Sequence, residues 1–168
     1  SFYYNALSGE EEEKRIVPLS WDQRHILNST VSVGDPGNWN LGLISKLSSG
    51  WPYTPNIPDA NYIPLSNSGR KPWQWRIDMR LHKNFKVGKF QYIVYTKIYN
   101  LLDRRNERYV FNDTGRAGYT YVSQSTQETK GFVDHYGESG VHTWSEYQVR
   151  PQYYTAPRSI NIGFSLDF

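Results

Sequence analysis

At 168 residues the chain has the length of one ordinary domain, and with no Cys it can hold neither a disulfide framework nor a thiolate metal site. Lys and Arg number 19 against 16 Asp and Glu, a net +3, and no run of basic residues exceeds a pair, so the charge does not point to nucleic acid. There is no apolar stretch of about 18 residues, which excludes a transmembrane helix but not a β-barrel, whose strands each give a much weaker signal.

Aromatic residues make up 16% of the chain, 14 of them Tyr and 6 Trp, yet the mean hydropathy is −0.72. A chain both aromatic and polar reads as strands whose two faces meet different solvents. It opens on Ser1-Phe2-Tyr3-Tyr4-Asn5, without Met, basic n-region or apolar h-region. For an exported protein that places the expected true start upstream, with residues 1–5 read as the end of a strand. Residues 6–21 form a first long connection, where Glu10-Glu11-Glu12-Glu13 before Lys14-Arg15 is a solvated charge run or a site for divalent cations.

A first strand is expected over about 24–33, with Leu27, Val31 and Val33 outward, and a second over 39–48, with Leu41, Leu43 and Leu47 outward. Between them lies the turn Gly34-Asp35-Pro36-Gly37-Asn38. After a long connection at 51–72, residues 73–85 form a third strand. Its odd face reads Trp73, Trp75, Ile77, Met79, Leu81 and its even face Gln74, Arg76, Asp78, Arg80, His82. A short turn at 86–89 leads to a fourth strand over 90–100, with Phe90, Tyr92, Val94, Thr96 and Ile98 on its outer side. The connection 103–156 is the longest and carries Tyr119, Tyr121, Tyr136, Trp144, Tyr147, Tyr153 and Tyr154. Such density suits either a binding surface or a loop packed on itself. The last strand, 158–168, alternates without a break: Ile160, Ile162, Phe164, Leu166 and Phe168 against Ser159, Asn161, Gly163, Ser165 and Asp167.

Short connections alternate with long ones, as in outer-membrane barrels, which have short periplasmic turns and longer extracellular loops. A soluble sandwich has no reason to sort loop lengths by end. Trp39, Phe85 and Phe168 then sit at the short-turn interface, and Trp51, Trp73 and Trp75 at the other. The expected fold is all-β: the last five or so strands of an antiparallel up-and-down transmembrane barrel, with long extracellular loops.

The chain has four histidines, His25, His82, His135 and His142, as candidates for chemistry. His135 and His142 stand near Asp134 and Glu138, but their spacing follows no recurring zinc pattern, and an ordinary polar loop is the better reading. No nucleophile elbow, H-E-x-x-H or P-loop occurs, so neither an enzyme nor a cofactor is expected. Arg76, Asp78, Arg80 and His82, with Lys46 and Lys97 on neighbouring strands, form a charged ladder on the lumen face. It touches a plug or an anionic solute, or it is cross-strand charge pairing that keeps a wet wall ordered. Asp78 between two arginines favours the pairing.

Several stretches carry a family resemblance: Leu19-Ser20-Trp21-Asp22-Gln23-Arg24-His25, Ser49-Gly50-Trp51-Pro52-Tyr53-Thr54-Pro55 and Asn67-Ser68-Gly69-Arg70-Lys71-Pro72. To these belong Lys97-Ile98-Tyr99-Asn100-Leu101-Leu102-Asp103-Arg104-Arg105-Asn106, Tyr109-Val110-Phe111, Asp113-Thr114-Gly115-Arg116, and Ala156-Pro157-Arg158 through Phe168. Together they resemble the C-terminal strands of TonB-dependent outer-membrane receptors, of the Bacteroidota-like kind with a carboxypeptidase-regulatory-like domain. Gly163, Phe164, Leu166 and Phe168 look like the barrel-assembly signal of outer-membrane proteins.

The resemblance implies a roughly 22-stranded, plugged barrel in the bacterial outer membrane. It also implies import of a scarce substrate, with the rest of the barrel and plug, an inner-membrane energising complex and outer-membrane lipid as partners. Two rival readings remain. One is a separate fragment that self-assembles through unpaired strand edges into a multi-chain barrel or extracellular filament. The other, ranked last, is a soluble glycan-binding sandwich.

Overall fold

The computed structural model describes residues 16–35, 37–56, 64–121 and 144–167, with backbone only for Trp144, Tyr147 and Asp167. In chain order the elements are β1 (Ile26–Asp35), β2 (Trp39–Ser48), β3 (Pro52–Tyr53), β4 (Gly69–Arg70), β5 (Gln74–Val87), β6 (Phe90–Tyr99), the five-residue helix α1 (Trp144–Gln148), a 3₁₀ turn (Pro151–Tyr153) and β7 (Ser159–Asp167). They fall into two compact units. The sheet unit holds residues 24–49, 73–106 and 155–168, and the loop unit holds 1–23, 50–72 and 107–154.

The sheet unit is a five-stranded meander in the order β1-β2-β5-β6-β7, every neighbouring pair antiparallel. Among the described residues it does not close on itself, and β1 and β7 are its edges. The protein is thus all-β in its described part, with almost no helix. Pairing runs to the rim of both short turns, from Asp35↔Trp39 and from Val87↔Phe90. Gly34, Asp35, Lys86 and Val87, which turn composition had assigned to connections, therefore belong to the ladders. Gly88 (φ +63°) opens the two-residue turn Gly88-Lys89, supplying the positive φ that lets a hairpin follow the strand twist. At the other turn the Asp35 carbonyl accepts from Asn38 N–H at 2.9 Å and the Asp35 carboxylate from Gly37 N–H at 3.3 Å.

Register decides which side chains share a face. Leu27 opposes Leu47, which opposes Trp75; Val31 opposes Leu43, which opposes Met79; Val33 opposes Leu41, which opposes Leu81. Beyond β5, Met79 opposes Ile98 and then Ile160, while Phe85 opposes Tyr92 and then Leu166. The outward sets read separately on each strand thus add up to one apolar face across all five strands. Nothing described covers it: Leu27 is 62% exposed, Ile162 75% and Phe164 79%. The buried apolar side chains among the described residues are Val17, Val110, Phe111 and Ala117, all in the loop unit. In the sheet unit the buried side chains are polar: Ser48, Ser49, Asn100 and Asn106. A water-soluble sheet buries one face against a second layer. Among the described residues, no second layer covers this one.

The two asparagines tie the strand ends together. The β5–β6 ladder starts at Met79↔Ile98, leaving the first residues of β5 without a β6 partner. Asn106 substitutes for one: its Nδ2 donates to the Trp75 carbonyl at 2.9 Å, and its Oδ1 accepts from Trp75 N–H at 3.0 Å. Its backbone pairs with Thr155, whose N–H donates to the Asn106 carbonyl at 2.9 Å. Asn100, at φ +56°, donates from Nδ2 to the carbonyls of Arg104 and Ala156, each at 3.1 Å. The Asp103 carboxylate accepts from Arg158 N–H at 2.8 Å, at the start of β7. Farther along β7, Gly163 lies beneath the Tyr95 ring, where a Cβ would come within 2.5 Å of a ring carbon.

Replacing Asn106 by Ala leaves the Trp75 N–H and carbonyl without their partners, a cost of about 1–3 kcal/mol for each group left unsatisfied. Asn106→Ala is expected to lower the unfolding midpoint and to speed hydrogen exchange at the Trp75 amide selectively. Asn106→Asp, which keeps the acceptor and loses the donor, should fall between it and the parent.

Candidate functional site

Two regions carry the residues singled out in the sequence, one in each unit. The first is the polar face of the sheet. It brings together all six residues of the charged ladder, on adjacent strands β2, β5 and β6. Their arrangement is not cross-strand neutralisation, however. Lys46 stands directly opposite Arg76, and Arg80 directly opposite Lys97. Asp78 faces Ile44 across β2 and pairs within its own strand, accepting from Arg76 Nε at 2.8 Å and from Asn100 N–H at 2.9 Å. His82 lies between Asn40 and Tyr95. The face is exposed and cationic, with aromatic rings between its charges: Lys97 Nζ lies 5.3 Å from the Tyr95 ring centre, and the Arg76 guanidinium 5.8 Å from that of Tyr99.

The second region is the loop unit, where most of the resemblance stretches meet as structural nodes. Asp22 and Arg70 form an ion pair at 2.5 Å, both half-buried. Asn67, at φ +57°, donates from Nδ2 to the Pro18 carbonyl at 2.8 Å and from its backbone to Thr54 Oγ1 at 3.0 Å. The Tyr53 ring packs against Gly69 and Gly115. Gly50 passes so close to the Lys71 carbonyl that any Cβ would overlap its oxygen. Glu107 clamps the next loop: its carboxylate accepts from Arg116 Nε at 3.0 Å and from Ala117 N–H at 2.6 Å. Facing this carboxylate, the Arg116 guanidinium is held above the ordinary arginine pKa. Burial lowers the Lys71 ammonium below the usual lysine value, and its Nζ donates to the Arg108 carbonyl at 2.9 Å.

The loop aromatics divide in two. Tyr153 packs inward on Phe111, ring centres 5.3 Å apart, and both rings take the Arg150 guanidinium, at 4.8 Å from Phe111 and 5.2 Å from Tyr153. Tyr154 bridges to Glu107. Tyr119 and Tyr121 contact each other edge to face at 5.9 Å and stay exposed, as does Tyr109. Trp144 and Tyr147 lie on α1. Tyr136, Asp134, His135, Glu138, His142, the Glu10–Glu13 run and Phe168 lie outside the described residues. Of the C-terminal signal residues, Gly163, Phe164 and Leu166 lie on β7, Gly163 on the polar face and the other two on the apolar face. His25 stacks on Trp73 at 5.8 Å, and among the described residues no three acidic or histidine side chains cluster as metal ligands.

Compared with family profiles, curated proteins and solved structures, the chain matches none.

Because the obstacle at Gly50 is backbone, no rotamer change relieves it, and overpacking of this kind costs about 1–3 kcal/mol or more. Gly50→Ala is expected to expose residues 51–56 and 64–72 to limited proteolysis while the far-UV β signal of the sheet persists. Unchanged protease resistance would contradict this account of the loop unit.

Proposed function

We propose that the chain forms wall and outer loops of a TonB-energised outer-membrane receptor that imports a scarce substrate. The observation that carries this reading is the single uncovered apolar face across five strands, backed by a polar, cationic face. Hydrocarbon needs no protein layer to cover such a face, and water on the other side suits the charges. The strands are 9 to 14 residues long, against the ~9–11 that a tilted strand needs to cross a bilayer. The two short turns leave one end of the sheet and the long connections the other. Family identity rests on the motif resemblance alone.

The unpaired edges β1 and β7 favour a second reading, edge-to-edge assembly of copies into a multi-chain barrel or extracellular filament. Strand direction weighs against its barrel form. With five antiparallel strands, β1 and β7 run the same way, so like-oriented copies joined β7 to β1 would need a parallel seam at every junction. An odd number of further strands closes the same sheet antiparallel throughout, with the even total usual for bacterial outer-membrane barrels.

In a bilayer, a charge on the lipid face near mid-depth costs about 2–4 kcal/mol, and one on the water-facing side little. Ile162→Arg is therefore expected to lower the folding free energy in lipid vesicles by that amount, and Asn161→Arg to leave it nearly unchanged. Equal small effects at both positions would count against a membrane wall.

A further inference from the structure

We infer that the polar face of β2, β5 and β6 is a binding site for an extended polyanionic solute, one bearing two or more carboxylate, phosphate or sulfate groups. Five cations stand on this face, Lys46, Arg76, Arg80, Lys86 and Lys97, against one carboxylate, Asp78. A wall that needed charges only for order would set opposite signs across from each other, since like charges directly opposite destabilise a sheet. Here both cross-strand cation contacts are like to like, Lys46 with Arg76 and Arg80 with Lys97. Asp78, a single carboxylate whose Oδ1 is held by Arg76 and the Asn100 amide, supplies one negative charge against five positive ones. Among the described residues, Lys46, Arg80 and Lys97 have no ion-pair partner, and all three are exposed.

The geometry also limits the ligand. The two cation pairs lie four residues apart along β5, about 13 Å at the rise of an extended strand. Beside the first pair is a cleft of about 210 Å³ whose lining includes Arg76, Tyr99, Asn100, Thr155 and Ser159. That is below the ~300–1,000 Å³ of pockets that enclose a whole drug-sized ligand. The cleft has room for one group beside Arg76, whose Nε is already held by Asp78, while the ligand's other groups reach Lys46, Arg80 and Lys97. Guanidinium and ammonium donors facing one way, with no acceptor of their own, select oxyanions. The inference rests on the sheet register and holds whether the opposite face meets lipid or another surface.

The test uses the full chain in zwitterionic detergent and isothermal calorimetry with inorganic tripolyphosphate at two salt concentrations. Saturable binding that weakens with salt is expected, with a loss of at least about tenfold in Arg80→Gln and in Lys97→Gln. Lys89→Gln, in the β5–β6 turn away from the ladder, should bind as the parent does. The site is overturned if the parent shows no saturable binding, or if Lys89→Gln loses as much as the ladder variants. A hexaglutamate peptide run in parallel separates the sources of negative charge. Tighter binding of the peptide, abolished by the same two substitutions, would make the occupant an acidic polypeptide and overturn the solute assignment.

Discussion

Every other feature of the sheet follows from one constraint: period-2 alternation, held in register across four antiparallel junctions, puts most apolar residues of the five strands on one side, leaving Ile26, Ile44 and Ile93 on the other. A one-residue slip at any junction would send the apolar set of each strand beyond it to the opposite face. The short turns fix register within the β1–β2 and β5–β6 pairs. Between pairs, where the connections are long, local turn geometry cannot do so. There the Asn100 amide, the Asp103 carboxylate and the contact of Tyr95 with Gly163 hold β7 to β6, and the bonds from Trp75 Nε1 to Ser45 Oγ and from Lys83 Nζ to Asn38 Oδ1 tie β5 to β2 and its turn. Few buried apolar contacts hold the sheet, so its stability must come from its hydrogen-bonded ladders and from what covers the apolar face.

The strands themselves were legible in the sequence. The unbroken alternation of Ser159–Phe168 and of Trp73–His82 gives both the strand and its two faces, because that period is local. Strand ends were legible only to within two residues, since Gly34, Asp35, Lys86 and Val87 have turn composition and yet pair. The charged ladder was found residue by residue, but its meaning was not. Asp78 between Arg76 and Arg80 reads as neutralisation along one strand, and only register reveals Arg76 facing Lys46 and Arg80 facing Lys97.

The loop unit was the least legible part. Asn106 completes β5 from 31 residues away, and Asn67 reaches a carbonyl 49 residues distant. No local pattern announces such contacts. The motif stretches did mark where they occur: Asp22 with Arg70, and Tyr53 with Gly69 and Gly115, are partners drawn from separate motifs. These residues hold the backbone of the loop unit. Tyr119 and Tyr121 touch each other and stay exposed, whereas Tyr109 packs on Tyr153 and Tyr153 in turn on Phe111 and Arg150.

The central claim is that the two faces of this sheet meet different solvents. The chain has no cysteine, so single cysteines can be placed along β5 and β7 without background. In lipid vesicles, each would be tested with a charged, water-soluble thiol reagent and with a reagent carried on a lipid chain. The account predicts strict alternation: Met79, Leu81, Ile162 and Phe164 positions labelled from the lipid, and Arg80, His82, Asn161 and Ser165 positions from water. Water labelling of both sets would contradict it, whatever the sheet then proved to be.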